Sequence, residues 1–264
     1  MGGVGSNDVV TVKLMMTHSS ARLSRAELDS ISAYAAKATW PAGFTVYQRG
    51  GAADGIFVVL RGRIVLRSRV KAGRGFVPAI ATAGETFGTE GLSSTARYAT
   101  DARADEETET LHLSGARYRA FVREQPPQAL QLLGQVMAQH SALLEKLREL
   151  ATLSVEQRLV TTLLRMAQDE SFVGDDGRIV LDAPQYRLLC EMVGATRESV
   201  SLVLTRLIGD GLAERKGTTF TVAPAAELAQ RLADAWRDGE TVVPWSVEHD
   251  GGSGGNGKGV TLGG

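Results

Sequence analysis

From Trp40 to about Leu113 the apolar positions come in short runs broken by glycine-containing turns, a pattern that predicts strands rather than helices. In IFVVLRGRIVLRSRV, Gly62 interrupts a strongly apolar run. After it Ile64, Leu66 and Val70 alternate with Arg63, Val65, Arg67 and Arg69, which predicts a hairpin with one wet face. Turns at Arg49-Gly50-Gly51, Ala72-Gly73-Arg74-Gly75 and Ala83-Gly84-Glu85 separate several such strands, and together they predict a small antiparallel roll or barrel. A helix around Ser24 to Lys37 is predicted to precede it.

After Pro126-Pro127, which should stop one helix and start another, the period becomes helical. Leu130, Leu133, Met137, His140, Leu144, Leu147 and Ala151 follow spacings of three and four without a slip, the seam of a two-stranded coiled coil. Leu132, Val136, Leu143 and Leu150 lie on a neighbouring face. A helix that is apolar on two faces needs two neighbours: its own roll and the same helix of a second subunit. The alternative is one wide stripe packed inside a monomer. His140 is read as setting the register of the seam, with protonation disfavouring the close pair.

Ser154-Val155-Glu156-Gln157 reads as a capping box opening a helix that buries Val155, Leu159, Leu163 and Leu164. Asp175-Asp176-Gly177 is a turn, and Ile179-Val180-Leu181 a short strand. In Tyr186 to Ile208 two helical patterns then meet at Val193-Gly194-Ala195-Thr196. Two helices crossing steeply through a short turn need a small residue at the crossing, a glycine able to take positive φ, and apolar inward positions. Cys190, Gly194 and the set Leu189, Val193, Ala195, Val200 and Val203 satisfy all three, so Cys190 is read as a packing residue. Thr196 is a good N-cap, which puts Arg197, Glu198 and Ser201 on the first turns of the second helix. On a helix lying in a major groove, those positions meet base edges: arginine donates bidentately to guanine, and glutamate accepts from cytosine. Arg206, and in the following hairpin Arg215, Lys216 and Thr218, are placed to meet phosphates.

Composition narrows this further. The chain has 264 residues, 43% of them hydrophobic, enough for two small cores. Lys and Arg total 29 against 30 Asp and Glu, so the net charge of -1 supplies no global attraction to nucleic acid. Even from Arg187 to Lys216 there are five basic and four acidic side chains, and affinity must rest on their placement. A single cysteine excludes an intrachain disulfide framework, a cysteine zinc cluster or a cysteine-ligated iron-sulfur centre. No run approaches the ~20 apolar residues of a membrane span, and the N-terminus lacks a signal-peptide pattern, so a cytoplasmic protein without a membrane partner is expected. Nothing resembles a nucleophile-base-acid set, metal-ligand spacing or a P-loop, which argues against an enzyme.

The order of roll, long helix and winged helix-turn-helix resembles the Crp/Fnr family of transcription regulators over about residues 24 to 226. The resemblance is carried by VGATRESVSLVLTRL with its wing, LATLSVEQRLVTTLLRMA, GIFVVLRGRIVL and FGTEGL…ARYATDARA. It implies an α+β protein: an N-terminal antiparallel β-roll, double-stranded β-helix-like, then a long dimerisation helix and a C-terminal winged helix-turn-helix. The expected divisions are a disordered 1–20, the roll 21–127, the dimerisation helix 128–152, the winged helix 153–226, a C-terminal helix 227–241 and a disordered glycine-rich 242–264. A homodimer on palindromic double-stranded DNA, with RNA polymerase as a further partner and an activator role, is what such a protein implies. Arg197 and Glu198 match the base-reading pair of the catabolite-activator branch. That branch's third base-reading arginine aligns with Leu202, so its operator does not carry over. Ser201 looks like the serine used by the Fnr branch.

In cyclic-nucleotide-binding members a cassette begins with Gly-Glu and ends with Arg-Ser or Arg-Thr. Here Gly88 and Arg97 remain, but Thr89 stands at the glutamate position with Glu90 beside it, and Tyr98 follows the arginine. The dimer-helix Thr-Ser that meets adenine is Leu143-Leu144. Gly88, Thr89, Glu90, Arg97 and Tyr98 are therefore the effector-site residues, with cyclic AMP disfavoured as their ligand and no cofactor expected. Haem would need axial ligands, yet His112 sits in a strand pattern and His140 on the seam. The leading reading of function is a regulator acting constitutively or under an effector other than cyclic AMP; the alternatives are a cyclic-nucleotide-responsive regulator and a sensor acting mainly through protein contacts.

Overall fold

The computed structural model describes residues 22–69, 75–93 and 96–237. The two ends expected to be disordered, most of the Ala72–Gly75 turn and the C-terminal helix beyond Arg237 lie outside the described residues. Helix α1 (Arg25–Ser32) opens on a capping box between Ser24 and Glu27 and is shorter than its pattern suggests. Ala36–Trp40 forms strand β1 instead, paired residue for residue with β8 (Thr108–Ser114), and Trp40 Nε1 donates to Thr110 Oγ1 at 2.8 Å. Sheet pairing here overrides the helical propensity of Ala36, Lys37 and Ala38.

The roll consists of two four-stranded antiparallel sheets. One runs β1-β8-β3-β6, with β3 Gly55–Arg61 and β6 Thr86–Phe87; the other runs β2-β7-β4-β5, with β2 Thr45–Tyr47, β7 Asp101–Ala104, β4 Arg63–Arg69 and β5 Gly75–Thr82. The predicted hairpin across Gly62 is not there. Strands β3 and β4 belong to different sheets, Gly62 (φ 87°) forms the corner between them, and β4 pairs with β5 and β7. The reason lies in β3: Gly55–Val59 are all buried, with Ile56 and Val58 packed in one core with Ile31, Phe121 and Leu132 and Phe57 and Val59 in another with Ile64 and Ala102, so both faces are covered and the strand lies inside its own sheet between β8 and β6.

The wet face expected for β4 is also dry in part. Val65 is 1% exposed and, with Val77 of β5, packs into the core of the C-terminal domain. Around these valines Arg67 Nε donates to Glu191 at 2.9 Å, and Arg63 donates to Asp105 at 3.2 Å and Asp169 at 3.1 Å while lying over the Phe172 ring. The alternating arginines of β4 thus rim a domain junction.

Helix α2 (Gly115–Glu124) stops before Pro126, which opens the 27-residue α3 (Pro126–Thr152). One face of α3 is fastened to the roll. Ala129 and Leu132 join a core with Ile31, Leu113 and Phe121, while Gln135 Nε2 donates to the Gly84 carbonyl and Gln139 Nε2 to that of Thr86. No helix among the described residues is long and apolar enough to cross a membrane.

The C-terminal domain contains α4 (Val155–Met166), β9 (Ile179–Leu181), α5 (Ala183–Val193), α6 (Arg197–Gly209), β10 (Ala213–Lys216), β11 (Thr219–Val222) and α7 (Ala225–Arg237). Its sheet order is β10-β11-β9. The capping box at Ser154 and Gln157 starts α4, and Leu159, Leu163, Leu189, Val193, Val200 and Leu204 meet in one core. Arg158 ties this domain to the end of α3: its Nη1 donates to the Leu153 carbonyl at 2.9 Å and its Nε to that of Val193 at 3.1 Å. Buried Glu149 of α3 pairs with Arg165 of α4.

Arg158→Ala leaves the Val193 and Leu153 carbonyls without this donor, and should lower the free energy of unfolding in urea by about 2 kcal/mol. Arg158→Lys should recover only part of that, because an ammonium cannot span two divergent carbonyls as a planar guanidinium does. Cys190 is 4% exposed, and burial pushes its thiol up, with the Tyr186 hydrogen bond acting the other way. A raised thiol pKa means less thiolate at any given pH, and any stability it contributes is lost as pH rises through the folded value. Native protein should therefore react with a thiol reagent far more slowly than urea-unfolded protein at neutral pH.

Candidate nucleic-acid interface

The turn between α5 and α6 is built as its residues require. Gly194 adopts φ 65° as the C-cap of α5, and its amide donates to the Cys190 carbonyl. A Cβ at Gly194 would lie 2.9 Å from Leu150 Cδ2, so α3 crowds this turn closely. Thr196 Oγ1 accepts from the Ser199 amide at 3.2 Å and caps α6. With Val200, Val203, Leu204 and Leu207 turned into the core, the opposite face of α6 presents Arg197, Glu198, Leu202, Thr205 and Arg206 to solvent, with Ser201 half-buried among them.

The wing stands beside this face. Lys216 and Thr218 are exposed around its tip, where Gly217 turns at φ 61°. Arg215 donates to the Gly217 carbonyl at 3.0 Å and lies over the Phe220 ring, which also stacks on Tyr186. Burial pushes the Tyr186 hydroxyl up to about 12, keeping it a donor, here to the Arg197 carbonyl at 3.2 Å. Arg206 is not a free cation: its Nη1 lies 3.5 Å from Glu156, which also takes Arg231. The predicted contact residues thus share one surface, but its positive charge is restrained by intramolecular partners.

The seam of α3 is open. Leu130 is 68% exposed, Met137 53% and Leu144 55%; Leu133, His140 and Leu147 are exposed along the same helix. Leu143, expected on the roll-facing side, is itself 46% exposed and widens this apolar strip. It comes after Gln135 and Gln139, whose side chains fasten α3 to the roll.

The cassette residues come together around a set of stacked rings. Gly88 takes φ 69° before the 3-10 turn Thr89–Leu92, and a Cβ there would lie 3.2 Å from each of Phe57, Tyr47 and Tyr98. Tyr98 is buried, stacks on Tyr47 with centroids 3.6 Å apart, and donates its hydroxyl to Asp54. Phe57 stacks on Phe87 and on His112. Arg97 is exposed and donates to the Gly50 carbonyl at 2.7 Å, while Glu90 accepts from the Ala99 amide at 3.0 Å. A cavity of about 230 Å³ lies elsewhere, at the domain junction, lined by Arg63, Arg67, Arg103 and Arg187. Sequence reasoning missed this junction; the one signal for it was the run of arginines on a strand face assumed to be solvated.

Comparison with known proteins places both halves. A model of the cyclic nucleotide-binding domain matches residues 37–125, and one of the Crp-like helix-turn-helix domain matches 157–231. The cAMP-activated global transcriptional regulator Vfr of Pseudomonas aeruginosa is 28% identical over 201 residues, covering 74% of this chain and 92% of its own. A CRP-like cAMP-activated global transcriptional regulator of Mycobacterium tuberculosis is 23% identical over 195 residues, covering 73% and 86%. Among solved structures, the c-di-GMP responsive global regulator CLP of Xanthomonas campestris superposes with a TM-score of 0.66 at 21% identity, covering 76% of this chain and 99% of that one. FixK2 of Bradyrhizobium japonicum superposes at 0.60 and 19% identity, covering 74% and 96%. With a roll and a winged helix matched in the order in which the chain builds them, this protein belongs to the Crp/Fnr family of DNA-binding transcription regulators.

Proposed function

We propose that this chain binds a palindromic operator as a homodimer, and that cyclic AMP in the roll cassette does not control it. The observation that carries the first half is the pairing of two exposed surfaces on one chain: the apolar seam of α3 and the Arg197–Glu198–Ser201 face of α6. Regulators of this family bind DNA and act as dimers. In the reading proposed here α3 packs on its copy through Leu130, Leu133, Met137, His140, Leu144 and Leu147, which sets two α6 helices against successive major grooves. Arg197 and Glu198 read base edges, Ser201 assists, and Thr196, Arg206, Lys216 and Thr218 position the phosphate backbone.

The second half rests on the cassette. Tyr98 and Tyr47 occupy the space beside Gly88 with a ring stack, and burial pushes the Tyr98 hydroxyl up to about 12, so it stays neutral there. Opening room for a nucleotide would mean exposing both rings and separating a favourable stack. A ligand of another kind has one observation in its favour, the arginine-lined cavity at the domain junction. An occupant there would act on the docking of the winged helix against the roll.

Binding of the full chain to duplexes selected from a random pool tests this reading. Affinity should fall steeply with salt, stay unchanged by added cyclic AMP, and drop about tenfold or more in Arg197→Ala and in Glu198→Ala. Affinity that rises on adding cyclic AMP sinks the cassette half, and binding unaffected by either substitution sinks the recognition-helix half. Sedimentation equilibrium tests the seam. Leu144→Asp should shift the protein to monomer, and His140→Leu should tighten the dimer. A wild-type protein that sediments as a monomer at micromolar concentration contradicts the dimer.

A further inference from the structure

The DNA-facing side of α6 carries a residue that polar recognition does not explain. Leu202 is 65% exposed, although its neighbours Val203 and Leu204 are buried. It stands one residue after Ser201, four after Glu198 and four before Arg206, at the centre of the surface read above as the DNA contact. Thr205, three residues on, donates its hydroxyl to the Ser201 carbonyl at 2.9 Å, which commits its one donor and leaves an acceptor oxygen and a methyl towards a partner. Leu202 and Thr205 therefore make a small apolar patch inside a rim of arginine, glutamate and serine.

The major groove offers one apolar group to such a patch. Every base pair presents donors and acceptors there, and only thymine adds a methyl, at C5. A leucine set against guanine or cytosine would strip water from polar edges and return no hydrogen bond; against thymine it buries a methyl. Selection for one base and rejection of the others then come from the same side chain. Phosphates and sugars offer it nothing comparable. We propose that Leu202 is a specificity-determining residue that contacts the C5-methyl of one thymine in each half-site. This rests on the operator-binding reading of α6.

Deoxyuridine tests it one methyl at a time. An operator is first selected from a random duplex pool with the full-length protein, and each thymine of a half-site is then replaced singly by deoxyuridine. Wild-type protein should lose about fourfold in affinity at one position per half-site, the loss expected for one buried methyl, and Leu202→Ala should lose nothing there. Leu202→Arg should change the preferred base at that position to guanine. Because the side chain is exposed, both variants should keep the wild-type thermal midpoint, which separates altered reading from misfolding.

Sequence-specific binding in which no deoxyuridine matters, or in which Leu202→Ala keeps the same sensitivity, overturns the assignment and leaves the operator-binding reading standing. Leu202 instead gripping an apolar partner protein gives that outcome. Absence of any sequence-specific binding by the wild-type chain overturns both.

Discussion

Two recognition helices address successive turns of a duplex only if each is held at a fixed angle and distance from the axis relating them. In this chain that constraint is met over a few residues where α3 ends. Leu153 closes the long helix, Ser154 caps the next, and the Arg158 guanidinium spans the gap by taking carbonyls from both the helix end and the C-terminus of α5. Glu149, buried at the last turns of α3, is locked to Arg165, and Leu150 lies against the glycine of the helix-turn-helix. Removing one partner from a buried charge pair costs several kcal/mol, roughly 3–5 by general measure, because it strands the other charge, so the Glu149–Arg165 pair fixes how α3 and α4 meet.

A second contact restrains the same domain from the other side. Val65 and Val77 on the outer face of the roll complete the winged-helix core, and Arg63 and Arg67 fasten the rim. Each valine contributes on the order of 1.5 kcal/mol or more by leaving water. The ion pairs contribute less, since taking charges out of water offsets most of their attraction. A docking free energy of a few kcal/mol is of the size that differential binding of DNA or of a small ligand reverses. The recognition helix is thus held from two sides, by a hydrogen-bonded and ion-paired joint to α3 and by an apolar, arginine-rimmed contact with the roll.

How much of this was legible in the sequence follows from what each residue's role depends on. The α5–α6 turn was readable because its requirements are local: a glycine with positive φ, a hydroxyl cap, and a small residue at the crossing all fall within seven residues. The α3 seam was readable because a period of three and four survives over six turns. The hairpin misassigned at Gly62 shows the limit. Strand periodicity states which residues face which side, not which strand lies next door, and β3 and β4 look alike whether paired or split between sheets. The start of β1, Ala36 and Lys37, was taken into a helix for a related reason, since such residues favour a helix until β8 supplies a partner. The wet face of β4 failed differently: arginines on a strand read as solvated, yet here they close over buried valines and pair with carboxylates more than 60 residues away. The ring stack of the cassette was half legible, in that Tyr98 stood where a small hydroxyl residue was expected. Its stack on Tyr47, fifty residues earlier, was not.

The weak electrostatics of the DNA face and the open seam of α3 bear on each other. Nearly equal numbers of acidic and basic residues surround α6, Arg206 leans on Glu156, and Arg215 is held over Phe220. One such domain releases few counterions, so its non-specific hold on DNA is slight at cellular salt. Base-edge contacts worth ~1–3 kcal/mol each do not by themselves overcome the entropy lost on association. Two domains tied in the proposed dimer would meet that loss once and gain the contacts of both half-sites, which is the arithmetic of effective concentration. The exposed leucines of α3 would be a liability on a monomer. In the dimer proposed above a second copy covers them, and two paired surfaces of almost no net charge would hold a duplex by sequence rather than by charge.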